Sequence, residues 1–204
     1  MTFFAGPGEE WSGVDVSGGR LVPQSVALRE QFERSSNGRH EIAGDFDHYI
    51  VCGFGLAISF PLRLVTHQGD YGWNEYREAV ARHVRESVCA SILSKLRQIT
   101  RAPVLVLATP HQPLDSCKSS PLLSNETAHR LAANFHADCA EMAAEHGAVF
   151  LPQPVETLAP NGVTTQMQFA NASSVPGRED RRHCNADYGA IVMAGILERL
   201  SVPT

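Results

Sequence analysis

Hydrophobic residues along the chain fall into two kinds of pattern. Continuous runs occupy residues 47–55 (Asp-His-Tyr-Ile-Val-Cys-Gly-Phe-Gly), 103–110 (Pro-Val-Leu-Val-Leu-Ala-Thr-Pro) and 148–152 (Ala-Val-Phe-Leu-Pro). Runs of this kind, without strict alternation, belong to strands buried on both faces. A shorter run at 2–5 (Thr-Phe-Phe-Ala) reads as a further strand, stopped by Gly6-Pro7-Gly8. Elsewhere the period lengthens to that of a helix. Over 76–99, Val80, Val84, Val88, Ile92 and Leu96 recur every four residues, and Cys89 and Leu93 widen the stripe. An Ala-rich segment at 126–146 predicts a second helix closed by Gly147, and 185–200 predicts a last one.

Residues 6–44 are rich in Gly, Ser and charge, with turn signals at Ser17-Gly18-Gly19 and Ser35-Ser36-Asn37-Gly38. They read as a long loop region carrying one helical stretch near 26–34. Polar loops at 111–124 and before His183 complete the order. Strands alternating with long helices specify βαβ units, hence an α/β fold with a mostly parallel sheet flanked by helices and right-handed crossovers. The 204 residues suit one domain, 1–204.

Composition narrows the partners. The chain is 43% hydrophobic and 19% charged, which is globular rather than disordered, and its net charge of −5 argues against a nucleic-acid partner. No apolar run reaches the roughly 18 residues of a membrane span, so no membrane partner is expected. The first residues lack the basic and apolar regions of a signal peptide. Five widely spaced cysteines without a Cys-x-x-Cys pair suggest reduced thiols, a cytoplasmic location, and neither metal nor cofactor. Cys52 and Cys89 lie in apolar runs and read as small buried hydrophobes.

Ligands of open parallel sheets bind beyond the carboxyl ends of the strands. Those ends carry Gly6 and Gly8, Gly53 and Gly55, Thr109-Pro-His111 and the loop leading to His183. Asp180 and His183 stand three apart just before a helix. A carboxylate there can fix one imidazole nitrogen and leave the other as a base, and Asn185 is placed to cap the helix that follows. An ordinary solvated loop would show the same spacing. His129 and His136, seven apart, read as surface residues; His111, after a strand end, reads first as another ordinary histidine, with a place in the pocket lining as the alternative. Ser12, Ser35, Ser36 and Ser116 sit on no nucleophile elbow, and nothing marks Cys117 as a low-pKa thiol.

The Asp180-x-x-His183 block, with Asn185, Tyr188 and Gly189 behind it, resembles the last block of the SGNH (GDSL-type) hydrolases. By the same resemblance, 3–8 corresponds to that family's second strand and glycine block, and 47–55 to its third strand with the Gly-x-Asn-Asp block. The resemblance implies a flavodoxin-like three-layer domain and a Ser-His-Asp triad that hydrolyses esters, often acetyl groups on sugars. His183 would be the base, Asp180 its orienting partner, and Gly53, Gly55, Gly6 and Gly8 the pocket backbone that binds the oxyanion.

The chain departs from that family in two places. It contains no Gly-Asp-Ser, so the first strand and its nucleophile are expected upstream of Met1. It also has Gly53-Phe54-Gly55-Leu56 where the family carries an oxyanion-binding asparagine. Losing one such donor typically costs about 10²–10³ in rate, less where the Gly55 N–H substitutes. The expectation is therefore an impaired acyl hydrolase acting on a small-molecule or carbohydrate ester. The alternative is a non-catalytic SGNH-like domain that binds a carbohydrate or a protein. A nucleotide binder is the weakest reading, since there is neither a P-loop nor a Gly-x-Gly-x-x-Gly fingerprint. A missing central strand would leave an exposed sheet edge and a marginally stable chain.

Overall fold

The structure is a computed structural model, and it describes all residues except 1, 3, 7, 68–71, 114–123, 171, 173–182 and 202–204. In chain order the elements are β1 (Val14–Ser17), β2 (Arg20–Pro23), α1 (Val26–Ser35), β3 (Ile42–Ala43), β4 (Tyr49–Cys52), α2 (Ser59–His67) and α3 (Trp73–Arg85). Then follow α4 (Val88–Ile99), β5 (Val104–Leu107), α5 (Asn125–Glu145), β6 (Val149–Leu151) and α6 (Ala186–Ser201). The chain divides into two compact units. One comprises Met1–Leu56, Arg82–Leu107 and Cys139–Leu151, the other Ala57–Ala81, Ala108–Asp138 and Pro152–Thr204.

The first unit holds all six strands found among the described residues. β4, β5 and β6 form a parallel sheet in that order, in the register Tyr49↔Val104, Val51↔Val106 and Leu105↔Val149. These are the three continuous apolar runs, and Val104, Leu105 and Val106 of the middle strand are buried as a run of that kind requires. The fold is thus α/β with a parallel sheet. Beside it is a second, antiparallel sheet, β1-β2-β3, so the parallel arrangement extends to only half of the strands described. The long loop expected over 6–44 is therefore a correction. Gly18 and Gly19 take φ of 57° and 73° and turn β1 into β2, the primed hairpin geometry that a Gly-Gly pair permits. Val14 and Leu21, both fully buried, face the core from the two strands. The helix near 26–34 is present as α1, capped by Ser25, whose Oγ accepts the Leu28 N–H. Of the strand expected at 2–5, the described residues Thr2, Phe4 and Ala5 pair with no strand, and Phe4 packs its ring on Phe32 at 5.1 Å.

The single helix expected over 76–99 is two. Ser87 breaks it and caps the second part, its Oγ accepting the Ala90 N–H at 3.2 Å. The four-residue stripe runs through the break, because Val84 and Ile92 each still face a core. Below the break α4 packs on β1, β2 and the 3-10 turn Gly8–Gly13. Ser87→Ala is expected to destabilise the protein by about 1 kcal/mol, the usual worth of such a cap, read as a lower urea midpoint at unchanged slope. A change within a few tenths of zero would show that packing alone holds the break.

The second unit contains α2, most of α3, the first two-thirds of α5, α6 and the 3-10 turns Val155–Thr157 and Met167–Phe169. Its core includes Leu62, Tyr76, Val80, Leu131, Phe135 and Val163. No helix among the described residues is long and apolar enough to cross a membrane.

Candidate functional site

In the first unit the carboxyl end of β4 carries three consecutive residues in the left-handed region. Gly53, Phe54 and Gly55 have φ of 81°, 52° and 91°. The two glycines adopt this conformation without penalty, whereas a phenylalanine there costs about 1–2 kcal/mol, so something must hold it. Phe54 sets its ring on Trp11 at 4.7 Å. Each carbonyl of the turn is engaged. Gly53 O accepts the Leu56 N–H at 3.2 Å, Phe54 O accepts the Cys89 N–H at 3.0 Å, and Gly55 O accepts from His83 Nε2 at 3.1 Å. That contact assigns the proton to Nε2, since a carbonyl can only accept. The Gly53 N–H extends the sheet to Leu107 O at 2.8 Å. With these taken, the N–H groups of Phe54 and Gly55 make no hydrogen bond to described residues. Two adjacent backbone donors at a strand end are the kind of group that can donate to an anionic oxygen.

Gly6 and Gly8 lie before and at the start of the 3-10 turn Gly8–Gly13. A Cβ on Gly6 would run into Leu28 Cδ1 and the Gln31 amide, so this glycine allows close packing against α1. Gly8 opens the 3-10 turn with open space around it. Trp11 is buried among Phe32 and Phe54. Cys89 is buried, and its thiol is pushed up to about 12 by burial, which makes it unreactive. Cys52, expected to be buried, is exposed at the end of β4.

In the second unit His183 is exposed and directly precedes α6. Asn185 caps that helix as expected, its Oδ1 accepting the Tyr188 N–H at 3.2 Å. Its Nδ2 donates to Gln168 O at 2.8 Å and its own N–H to Phe169 O at 2.9 Å, so one asparagine ties the start of α6 to the turn Met167–Phe169. Asp180, Ser116 and Cys117 lie outside the described residues, and so does any pairing of Asp180 with His183.

The most heavily buried polar cluster was not legible in the sequence. His111 is 2% exposed, and neither of its ring nitrogens has a hydrogen-bond partner among the described residues. Its backbone is pinned on both sides. The His111 N–H donates to Gln153 Oε1 at 2.8 Å, and His111 O accepts from Thr165 Oγ1 at 2.6 Å. Gln153 Nε2 in turn donates to Thr157 Oγ1 at 3.0 Å and Thr165 Oγ1 at 2.9 Å, closing a ring of polar groups in which Gln153 is half-buried. The imidazole stacks on His136, with ring centroids 5.8 Å apart and planes 26° from parallel. Burial, and then the nearby His136, lower the His111 pKa to about 3, and burial also lowers that of His136. His136, expected at the surface, is half-buried. His129 does lie at the surface, against Pro160 O at 3.0 Å.

Comparison with family models, curated proteins and solved structures finds no match for this chain. Its function has to be argued from its own residues.

Proposed function

We propose that the protein is an SGNH-type acyl hydrolase of impaired activity, built on a flavodoxin-like three-layer domain and acting on small esters such as O-acetyl groups of carbohydrates. The observation that carries this reading is the left-handed turn Gly53-Phe54-Gly55 at the carboxyl end of a parallel strand, with the Phe54 and Gly55 N–H groups unengaged. A tetrahedral intermediate needs donors of this kind, fixed in advance and facing the developing charge. They would replace the asparagine that the sequence lacks at this block. The side-chain and backbone anchors of the turn, Trp11, His83 and Cys89, keep it from relaxing. His183 is the base in this reading and Asp180 the group that orients it. The nucleophilic serine is the part that the sequence, without Gly-Asp-Ser, does not itself offer.

Hydrolysis of p-nitrophenyl acetate by the chain and by its His183→Ala form tests this. With water as the attacking group in place of a serine, a base that takes its proton still contributes typically 10²–10⁴, so a fall of about 10² is expected when that base is removed. Equal rates in the two proteins would favour a non-catalytic domain that binds a carbohydrate or a protein.

A further inference from the structure

We propose that Asn37 is a site of spontaneous modification, converted to aspartate and isoaspartate in the folded protein, and that the fold protects the other Asn-Gly pair of the chain, Asn161-Gly162. Asparagine before glycine is open to this reaction because no side chain on the following residue shields its backbone nitrogen. The Gly38 nitrogen attacks Asn37 Cγ. A C–N bond forms, the Cγ–Nδ2 bond breaks, and ammonia leaves with the proton that the Gly38 nitrogen gives up. Water then opens the five-membered imide. Opening at Cγ gives aspartate, and opening at the main-chain carbonyl gives isoaspartate. Water is the only co-reactant.

The two pairs have opposite surroundings. Asn37 and Gly38 are both exposed, just past the end of α1, with φ of 60° and 94°, the left-handed ending that helices commonly adopt. The Asn37 side chain makes no hydrogen bond among the described residues, so its amide is free to turn. What holds the turn is local. The Gly38 N–H donates to Glu33 O at 2.8 Å, and Ser36 Oγ accepts the Arg39 N–H at 2.9 Å and donates to Arg39 O at 2.7 Å. These bonds must open before the Gly38 nitrogen can swing toward Cγ, and exposed helix ends open readily. At Asn161 the reacting group itself is tied down. Its Oδ1 accepts the Val163 N–H at 3.1 Å, the Thr164 N–H at 3.1 Å and the Thr164 hydroxyl at 2.9 Å. The attacking nitrogen, that of Gly162, is committed to Ala159 O at 2.9 Å, and the Ala159 N–H donates to Thr164 O at 2.8 Å. Gly162, Val163 and Thr164 are buried, so reaction there requires a buried loop to give up all these bonds together. Conversion of Asn37 puts a carboxylate at the carboxyl end of α1, where the helix dipole disfavours it, and isoaspartate also lengthens the main chain by one methylene. None of this depends on the proposed esterase chemistry.

The test incubates the intact chain in warm, mildly alkaline buffer, with and without enough urea to unfold it. Digestion at acid pH stops the reaction in the peptides. Mass spectrometry reads the replacement of amide by carboxyl at each site, and chromatography separates aspartyl from isoaspartyl peptides. In the folded protein Asn37 should convert about tenfold or more faster than Asn161, and in urea the gap should close to within about threefold, because a glycine follows both. Equal or faster conversion of Asn161 in the folded protein would overturn the proposal. So would a gap that urea leaves undiminished, which would trace it to neighbouring sequence, or an Asn37 that stays intact in the folded chain.

Discussion

Stability should fall as the pH drops from 7.5 to 5, and His111 should account for about 2 kcal/mol of the loss. The sign follows from which state binds the proton. In the unfolded chain His111 titrates near 6.5, whereas in the folded protein burial holds it near 3. Below pH 6.5 the unfolded state therefore takes up a proton that the folded state refuses, and unfolding is drawn forward. The contribution is fully present above the unfolded pKa, is lost progressively as pH falls, and is exhausted near the folded value. With each pKa unit worth 1.36 kcal/mol, the whole window amounts to about 5 kcal/mol, against a typical total stability of about 5–15 kcal/mol. His136 shifts in the same direction and adds to it. Urea unfolding of the wild type and of His111→Leu, from pH 8 to pH 5, isolates the effect. The difference in stability between the two should change by about 2 kcal/mol over that range. The variant loses two unsatisfied buried nitrogens and should be no less stable than the wild type at pH 5. Parallel pH curves would show that His111 is hydrated or otherwise partnered in the folded protein.

That histidine also marks where the sequence stops being informative. Its grip residues, Gln153 and Thr165, are 42 and 54 positions away along the chain. No local pattern around Thr109-Pro-His111 distinguishes a ring that lines a pocket from one sealed behind it. The strands of the parallel sheet are the opposite case. A run such as Val104-Leu105-Val106 has one stable setting, between two layers, and its composition says so. The hairpin of β1 and β2 lies between these cases. Gly18-Gly19 announces a tight turn, but the strands on either side carry Asp15, Ser17 and Arg20, and short, half-polar strands are hard to tell from loop. The glycine turn after β4 was legible as glycine alone. That Phe54 would share the left-handed conformation depends on Trp11, more than forty residues earlier, and could not be read locally.

Replacing Arg97 with Ala should lower stability by about 3 kcal/mol, a shift of roughly 10 °C in Tm for a chain of this size. Arg97 sits in the last turn of α4, half-buried, and its guanidinium engages three carbonyls at once. Nε donates to His146 O at 2.7 Å, Nη1 to Ala102 O at 2.7 Å and Nη2 to Gly147 O at 2.6 Å. Two of these acceptors belong to the end of α5. Gly147 closes that helix in the left-handed conformation, with its N–H to Ala144 O and the Ala148 N–H to Ala143 O, the paired bonds of a Schellman cap. The cap satisfies the carbonyls one turn back and leaves those of His146 and Gly147 to find donors, which Arg97 supplies. Its third acceptor, Ala102, lies just before β5, and Gly147 lies just before β6. One planar side chain thus ties together the points where two adjacent parallel strands enter the sheet. The energy comes from charge-assisted hydrogen bonds worth about 1.5–3 kcal/mol each, reduced because water can reach some of the freed carbonyls. Lysine offers a single point charge and cannot span three acceptors in one plane, so Arg97→Lys should recover less than half of the loss. Thermal unfolding of both variants decides the matter. A full rescue by lysine would mean that positive charge near the end of α5 matters and that the geometry of the fork does not.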